Sequence, residues 1–328
     1  MTGRCAIVDL SCAAHDDPGH PESHSRLLNA IGGIPPGVRR IAPEPADPAD
    51  VHRIHNPGYT EWLRERCSDA VTVARLDSDT YVTPHSFEAA LMAAGGAIAA
   101  MDRSLSGEHA FAFVRPPGHH AEAARAMGFC LLNNTAIAAA KALGHVDRVA
   151  IVDWDVHHGN GIQNAFYLSN RVLYCSVHHE NLFPFTGHID EIGNGTGKGF
   201  TINAPLPAAS TIADYHAVFS EVFVPAIERF RPDCLIVSAG QDILFDDPLG
   251  GMSIMPDEFS ILTSLLAGST GSAIALVLEG GYSSSHGDAI AAVYHALEHP
   301  KDATQAPDPA RQPVRRVVDL LKKVHHLA

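Results

Sequence analysis

Short β-rich apolar runs recur along the chain, at residues 6–10, 111–114, 149–152, 172–177, 235–237 and 273–278. Between several of them lie alanine-rich stretches whose apolar positions follow helical spacing, most clearly 87–101, 134–143 and 215–230. Thr83-Pro84 reads as the start of the first of these helices, with Thr83 as N-cap and proline at the first helical position. Strands alternating with helices predict an α/β protein: a single open, mostly parallel, twisted β-sheet with helices on both faces. No internal repeat or low-complexity block interrupts the pattern. Residues 300–313 read as a linker. Over 314–327, Val314, Val317, Val318, Leu321 and Val324 fall on one helical face, with Arg315, Arg316, Lys322 and Lys323 elsewhere. The expected organisation is one domain over 1–300. A Pro-rich linker and an amphipathic helix follow over 301–328, the helix docking on the body or across a subunit boundary of a homo-oligomer.

Composition narrows function more than fold. With 328 residues, 46% of them apolar and 18% charged, the chain has an ordinary globular composition and length enough for an ample core. Its 37 acidic against 23 basic residues give a formal charge of −14, which argues against direct nucleic-acid binding, since phosphate neutralisation needs a basic face. The same charge suits cationic partners such as lysine-rich peptides or polyamines. Six cysteines form no Cys-x-x-Cys pair, and several lie in strand-like runs; this fits a reduced, cytoplasmic protein better than a disulfide framework. No run approaches membrane-spanning length.

In open parallel sheets functional groups gather beyond the carboxyl ends of the strands. Here the run 111–114 is followed by Arg115-Pro116-Pro117-Gly118-His119-His120, and 149–152 by Asp153-Trp154-Asp155-Val156-His157-His158-Gly159-Asn160-Gly161. The run 172–177 leads into His178-His179, 235–237 into Ser238-Ala239-Gly240-Gln241-Asp242, and 273–278 into Glu279-Gly280-Gly281-Tyr282. Singly, Asp242 reads as a loop residue or cap and Glu279–Tyr282 as a tight turn. Five strand ends that all carry titratable or glycine-rich segments instead indicate one shared site. Asp153, Asp155 and His157 stand at i, i+2 and i+4, so an extended backbone would turn two carboxylates and an imidazole to one side. Such convergence calls for a divalent cation such as zinc.

That set leaves open positions for water and a carbonyl oxygen. The paired histidines can supply a general base and acid, and a tyrosine hydroxyl on a glycine-rich loop can donate to a developing oxyanion. No activated serine or cysteine motif is present, and Cys130 and Cys175 have strand-like neighbours. Attack by metal-activated water on an amide is therefore expected, without a covalent intermediate.

At this point the chain resembles the zinc-dependent histone deacetylase and acetylpolyamine amidohydrolase superfamily, over about residues 15–285. The likeness rests on His20-Pro21-Glu22 with Arg26-Leu27, Asp79-Thr80-Tyr81, residues 115–122, Gly128-Phe129-Cys130, 153–161, 183–187, 238–242 with Asp246-Asp247-Pro248-Leu249-Gly250, and 278–282. The Arg-Pro-Pro-Gly-His-His-Ala-Glu and His-His-Gly-Asn-Gly strings look like the class II and bacterial branch.

The resemblance implies the arginase/deacetylase fold and one Zn²⁺ on Asp155, His157 and Asp242. His119 and His120 would be the tandem histidines, His120 the base, oriented by Asp153 and Asn160 respectively, and Tyr282 would bond the substrate carbonyl. Phe129 and Phe183 would wall a tunnel around an acyl-lysine chain, the Gly128 carbonyl would accept the scissile N–H, and Asp79 would hold the substrate backbone from the rim. Monovalent cations, K⁺ or Na⁺, would sit near Asp153, Ser176 and main-chain oxygens of Asp155, His157 and Val177, and farther off around Phe166, Ser169, Val172 and Phe200.

Two positions depart from the family pattern. Gln241 stands where an apolar or aromatic residue is usual, and Phe185 where glycine is common. The expected activity is removal of acetyl or acyl groups from N-ε-acyl-lysine of peptides or proteins. The alternative within the same chemistry is an amidohydrolase for acetylpolyamines; no long insertion near residues 80–110 closes the mouth, which leans toward peptides. An inactive acyl-lysine-binding relative would lack a ligand or the tyrosine, and all are present. A two-manganese arginase-like enzyme would need bridging carboxylates where Ile243-Leu244-Phe245 follows Asp242.

Overall fold

Eight strands form one parallel sheet in the computed structural model, which describes residues 3–300 and 308–327. The strands are β1 (Gly3–Val8), β2 (Arg39–Ile41), the separate hairpin pair β3 (Ala74–Arg75) and β4 (Tyr81–Val82), β5 (Glu108–Phe113), β6 (Val149–Asp153), β7 (Val172–His179), β8 (Thr201–Leu206), β9 (Cys234–Ala239) and β10 (Ile274–Leu278). The sheet order is β2-β1-β5-β10-β9-β6-β7-β8.

Successive residues of the central strands feed two different cores, because alternate side chains point to opposite faces. In β5, Phe111 and Phe113 join one cluster while Ala110 and Ala112 join the other; in β10, Leu276 and Val277 divide the same way. Both faces are therefore buried, which is why these runs are continuously apolar. The helices Ser86–Leu105 and Asn134–Ala142 cover one face with alanines, and the helices His24–Gly32, Phe259–Thr270 and His286–Glu298 cover the other.

The edges explain the strands that periodicity does not show. β2 is three residues with two exposed arginines, and β8 reads Thr-Ile-Asn-Ala-Pro-Leu, with a proline that an edge strand tolerates. The helix placed over 87–101 begins at Ser86, with His85 as the cap residue. Thr83 and Pro84 lie in the turn before it, where the Thr83 hydroxyl accepts from the His85 N–H at 3.2 Å. The stretch 215–230 lies in three segments: Ile212–Val218, a π-helical turn Phe219–Phe223, and Val224–Phe230. Pro225 has no N–H to return to Glu221, so the ladder loosens there.

The C-terminal helix spans Gln312–Val324 and packs on β8 and on Ile212–Val218. Val314, Val318 and Leu321 are fully buried in the larger core, while Val317 and Val324 are half-buried. Half of the proposed linker, residues 301–307, lies outside the described residues. Arg311 ties the helix start down by donating to Asp214 at 2.6 Å and to the Ser210 hydroxyl at 2.7 Å. Leu321→Ala is expected to cost about 2–5 kcal/mol, the usual range for a fully buried leucine; urea unfolding that shows no loss would mean the helix is not part of the cooperative unit.

Candidate active site

The four central strands β5, β10, β9 and β6 end side by side, and the segments that follow them converge. Strand β6 stops at Asp153, and the backbone leaves the extended form over the next residues. Simple alternation therefore fails beyond that point, and Asp153 does not join Asp155 and His157. Its Oδ2 instead lies 3.1 Å from His119 Nδ1 and accepts from the Tyr174 hydroxyl at 3.2 Å, and its Oδ1 accepts the Asp155 N–H.

Asp155, His157 and Asp242 come together as a set. Asp155 Oδ1 and Asp242 Oδ2 each lie 3.1 Å from His157 Nδ1. The remaining oxygens are occupied: Asp155 Oδ2 accepts the Gly280 N–H at 2.9 Å and Asp242 Oδ1 accepts the Val156 N–H at 2.8 Å. Burial, and then repulsion from Asp155, raises the Asp242 carboxyl. Burial opposes protonation of His157, yet the two carboxylates lift it to about 10. One ring N–H cannot satisfy two carboxylate oxygens well, and donor atoms about 3.3 Å apart are what a tetrahedral zinc with bonds of about 2.0–2.1 Å requires. The donor set fits such an ion. Backbone crowds it from behind: a Cβ on Gly240 would stand 2.1 Å from Asp155 Oδ2, and one on Gly280 2.4 Å from Asp242 Oδ2.

The two histidines differ in their partners. His119 Nδ1 faces Asp153, while His120 Nδ1 lies 2.9 Å from Asn160 Oδ1. Burial depresses the His119 imidazole, but Asp155 and Asp153 outweigh it and lift the group to about 10. Burial, with the charges of His119 and His157, holds His120 well below its ordinary value. A cation held by Asp155 would take over part of the pull on His119 and leave Asp153 as its main partner.

A cavity of about 170 Å³ opens onto this set, with Phe129, Phe183, Gly128, Tyr282 and Asp79 among its walls. Phe183 stands edge-on to His120 at 5.1 Å and Phe129 edge-on to Tyr282 at 5.9 Å. Gly128 has φ +56°, and a Cβ there would meet His120 at 2.5 Å. Among the described residues no hydrogen bond claims the Tyr282 hydroxyl, and Arg26 lies over the ring at 5.2 Å. Phe185 has φ +62° and is 69% exposed, so a bulky residue occupies a backbone shape that favours glycine. Gln241 is fully buried; its amide donates to the Ala239 carbonyl at 3.0 Å, and its Oε1 has no partner. It packs against Gly281, beneath the Tyr282 loop.

Of the residues expected around monovalent cations, Val172, Ser176 and Val177 lie on β7. Asp153 and Ser176 are paired in register, with Val177 next along the strand, and the Ser176 hydroxyl lies 2.9 Å from His178 Nδ1. Phe166 ends the helix Asn160–Phe166, Ser169 in the turn beyond donates its N–H to the Phe166 carbonyl, Val172 opens β7, and the Phe200 carbonyl accepts the Tyr174 N–H at 2.9 Å.

By sequence Glu279 stands out only as part of a tight turn. Its two oxygens accept from the Gly118 and His119 N–H groups and from the Thr135 and Ser238 hydroxyls, which fastens the histidine loop across β10 and β9. A second set, His119, Cys130 and Glu279, also clusters. It does not suit a metal, because Glu279 is fully engaged and burial raises the Cys130 thiol well above its ordinary value. Asp247 accepts the Tyr282 N–H at 2.6 Å, and Arg115 grips Glu22 with two bonds of 2.7 and 2.8 Å. These roles carry no local spacing signal; only their place inside longer motifs marks them.

The family model for the histone deacetylase domain matches residues 18–297. The chain is 38% identical over 278 residues to the histone deacetylase-like amidohydrolase of Pseudomonas aeruginosa, which covers 81% of this chain and 72% of that protein. It is 37% identical over 280 residues to a "Probable deacetylase" of Archaeoglobus fulgidus, with 81% and 77% coverage. The crystal structure of the HDA15 HD domain superposes with a TM-score of 0.91 at 31% identity, covering 99% of this chain and 95% of that one.

Burial alone would raise Glu22, but Arg115, His15 and Arg26 outweigh it and hold its carboxyl well below its ordinary 4.5. A depressed carboxyl contributes stability that is present above pH 4.5 and is lost as pH falls through the folded-state value. Glu22→Gln should therefore cost about 3 kcal/mol or more near neutrality, since it strands a buried guanidinium. The gap from the parent protein should shrink on acidification below 4.5. A gap that stays constant with pH in urea titrations would refute the assignment.

Proposed function

This chain belongs to the histone deacetylase family, and we propose on that footing that it hydrolyses N-ε-acyl-lysine amides of peptides or proteins with one Zn²⁺ held by Asp155, His157 and Asp242. The observation that carries the reading is the convergence of those three donors at a cavity walled by Phe129 and Phe183 and faced by the unclaimed Tyr282 hydroxyl. A zinc ion there supplies Lewis acidity to the scissile carbonyl and acidifies water.

The chain's own groups do the rest. Phe129 and Phe183 hold the aliphatic stem and exclude water from it, while Asp79 accepts substrate backbone N–H groups at the rim. The Gly128 carbonyl accepts the scissile N–H and fixes its plane. His120, kept neutral by burial and oriented by Asn160, takes the proton of the attacking water at the ring nitrogen that Asn160 leaves free. His119, charged beside Asp153, favours the negative charge that builds up and can supply a proton to the departing amine. Tyr282 donates its hydroxyl to the carbonyl oxygen as that charge grows. Bound K⁺ or Na⁺ near Ser176 and Phe200 would serve a structural part. The six free cysteines, all buried, support action in the cytoplasm. No helix among the described residues is long and apolar enough to cross a membrane.

The deciding comparison is turnover by zinc-reconstituted protein on an acetyl-lysine peptide and on N-acetylputrescine. The peptide should be preferred; preference for N-acetylputrescine would make the protein a polyamine amidohydrolase. Binding of the peptide without turnover would make it a reader. Chelation should abolish turnover and zinc should restore it, whereas two manganese ions per chain would overturn the single-zinc site. Separately, Tyr282→Phe should lower kcat by about 10²–10³, and near-normal kcat would remove Tyr282 from the mechanism.

A further inference from the structure

At the opposite end of the sheet from the tunnel, where β6, β7 and β8 begin, lies a cavity of about 590 Å³ bounded on one side by the end of the C-terminal helix. Arg148, Lys198, Arg229, His325 and His326 line it, and no carboxylate side chain does. In a chain with 37 acidic and 23 basic residues this is a local reversal of sign. Two acidic residues close in sequence are engaged elsewhere. Asp233 accepts the N–H groups of Asp147 and Arg148, and Glu191 accepts from Gln163 and from the Gly187 and His188 N–H groups. Among the described residues, the side chains of Arg148 and Lys198 make no ion pair. Arg229 donates to the His325 and His326 carbonyls, at 2.9 and 3.2 Å, which neutralises the helix end.

Two further observations define what would fit. His325 is 4% exposed, and neither of its ring nitrogens makes a hydrogen bond. The floor is apolar: Leu173, Phe200, Phe230 and Val324 form it, and the Arg148 guanidinium lies 5.7 Å over the Phe230 ring. A hydrated inorganic ion would leave that floor wet, and a neutral hydrocarbon would leave the cations unanswered.

We propose that this cavity binds an amphipathic organic anion, with an acyl or aryl body on the Leu173–Phe200–Phe230 floor and a carboxylate or phosphate head among Arg148, Lys198 and Arg229. Such a ligand bridges the strand starts and the C-terminal helix, so it stabilises the folded chain by mass action. The site is separate from the tunnel and does not depend on the catalytic reading.

Calorimetry on the full chain with octanoate, hexyl phosphate, octanol and inorganic phosphate tests this. Saturable binding of octanoate and hexyl phosphate at one site, with octanol and inorganic phosphate at least about tenfold weaker, is expected; a tenfold change is about 1.4 kcal/mol. Lys198→Glu, an exposed position, should weaken both anions about tenfold and leave turnover on the acetyl-lysine peptide unchanged. Absence of saturable binding, undiminished affinity in Lys198→Glu, or inorganic phosphate binding as tightly as hexyl phosphate would overturn the proposal. Because a carboxylate could also enter the tunnel, the titration is repeated on Asp155→Ala protein. Retained affinity there supports the cavity, and lost affinity in a variant that melts like the parent would overturn it.

Discussion

Four carboxylates, those of Asp153, Asp155, Asp242 and Glu279, are wholly buried at one end of the sheet. Like charges in a dry interior repel strongly, and each ion stripped of water must find other partners. Much of the architecture answers that demand. Glu279 is surrounded by four donors, and Asp153 is shared by His119, Tyr174 and a backbone N–H. Asp155 and Asp242 each take a backbone N–H on the oxygen turned away from the His157 ring and share that ring on the other, where Asp155 also accepts the His157 N–H. Both residues of this last pair line the cavity.

The parallel sheet makes this concentration of charge feasible. Neighbouring strands that run the same way bring their carboxyl ends into one row, so groups far apart in sequence meet without long excursions. Asp155 and Asp242 come from the loops after β6 and β9, which are paired strands. The loops themselves are stiffened from below. Arg115, fully buried, ties the histidine loop to Glu22, and Tyr81 bonds the same glutamate, so one buried carboxylate fastens both the histidine loop and the segment that carries Asp79.

What could be read in advance follows from how local each signal is. The run at 149–152 was legible because burial on both faces makes a strand uniformly apolar. The same logic hides β2 and β8, whose edge positions admit arginine, asparagine and proline. The strand ends announced the site, and motif resemblance pointed to Asp242 as a partner for Asp155 and His157. The simple two-residue alternation misassigned Asp153, because extended geometry ends at that very residue. Thr83 was misread for a related reason: a cap-like pair can close a turn one step before the helix it appears to start. Glu279 and Asp247 stay invisible as working residues, since four-way acceptance and support of a tyrosine loop depend on contacts across 35 to 161 positions.

Phe185 is an exposed aromatic ring two residues beyond Phe183, which walls the cavity. The fold neither hides this ring nor relaxes the backbone beneath it. An aromatic side chain offers roughly 150–250 Å² of contact area. At about 25 cal/mol per Å², covering half of what is exposed here contributes on the order of 1–2 kcal/mol. A peptide segment that settled over the ring would thus reside about ten times longer than one that passed it by. Retention at that ring and events at the buried donor set would therefore be separable, since Phe185 is not among the walls of the cavity.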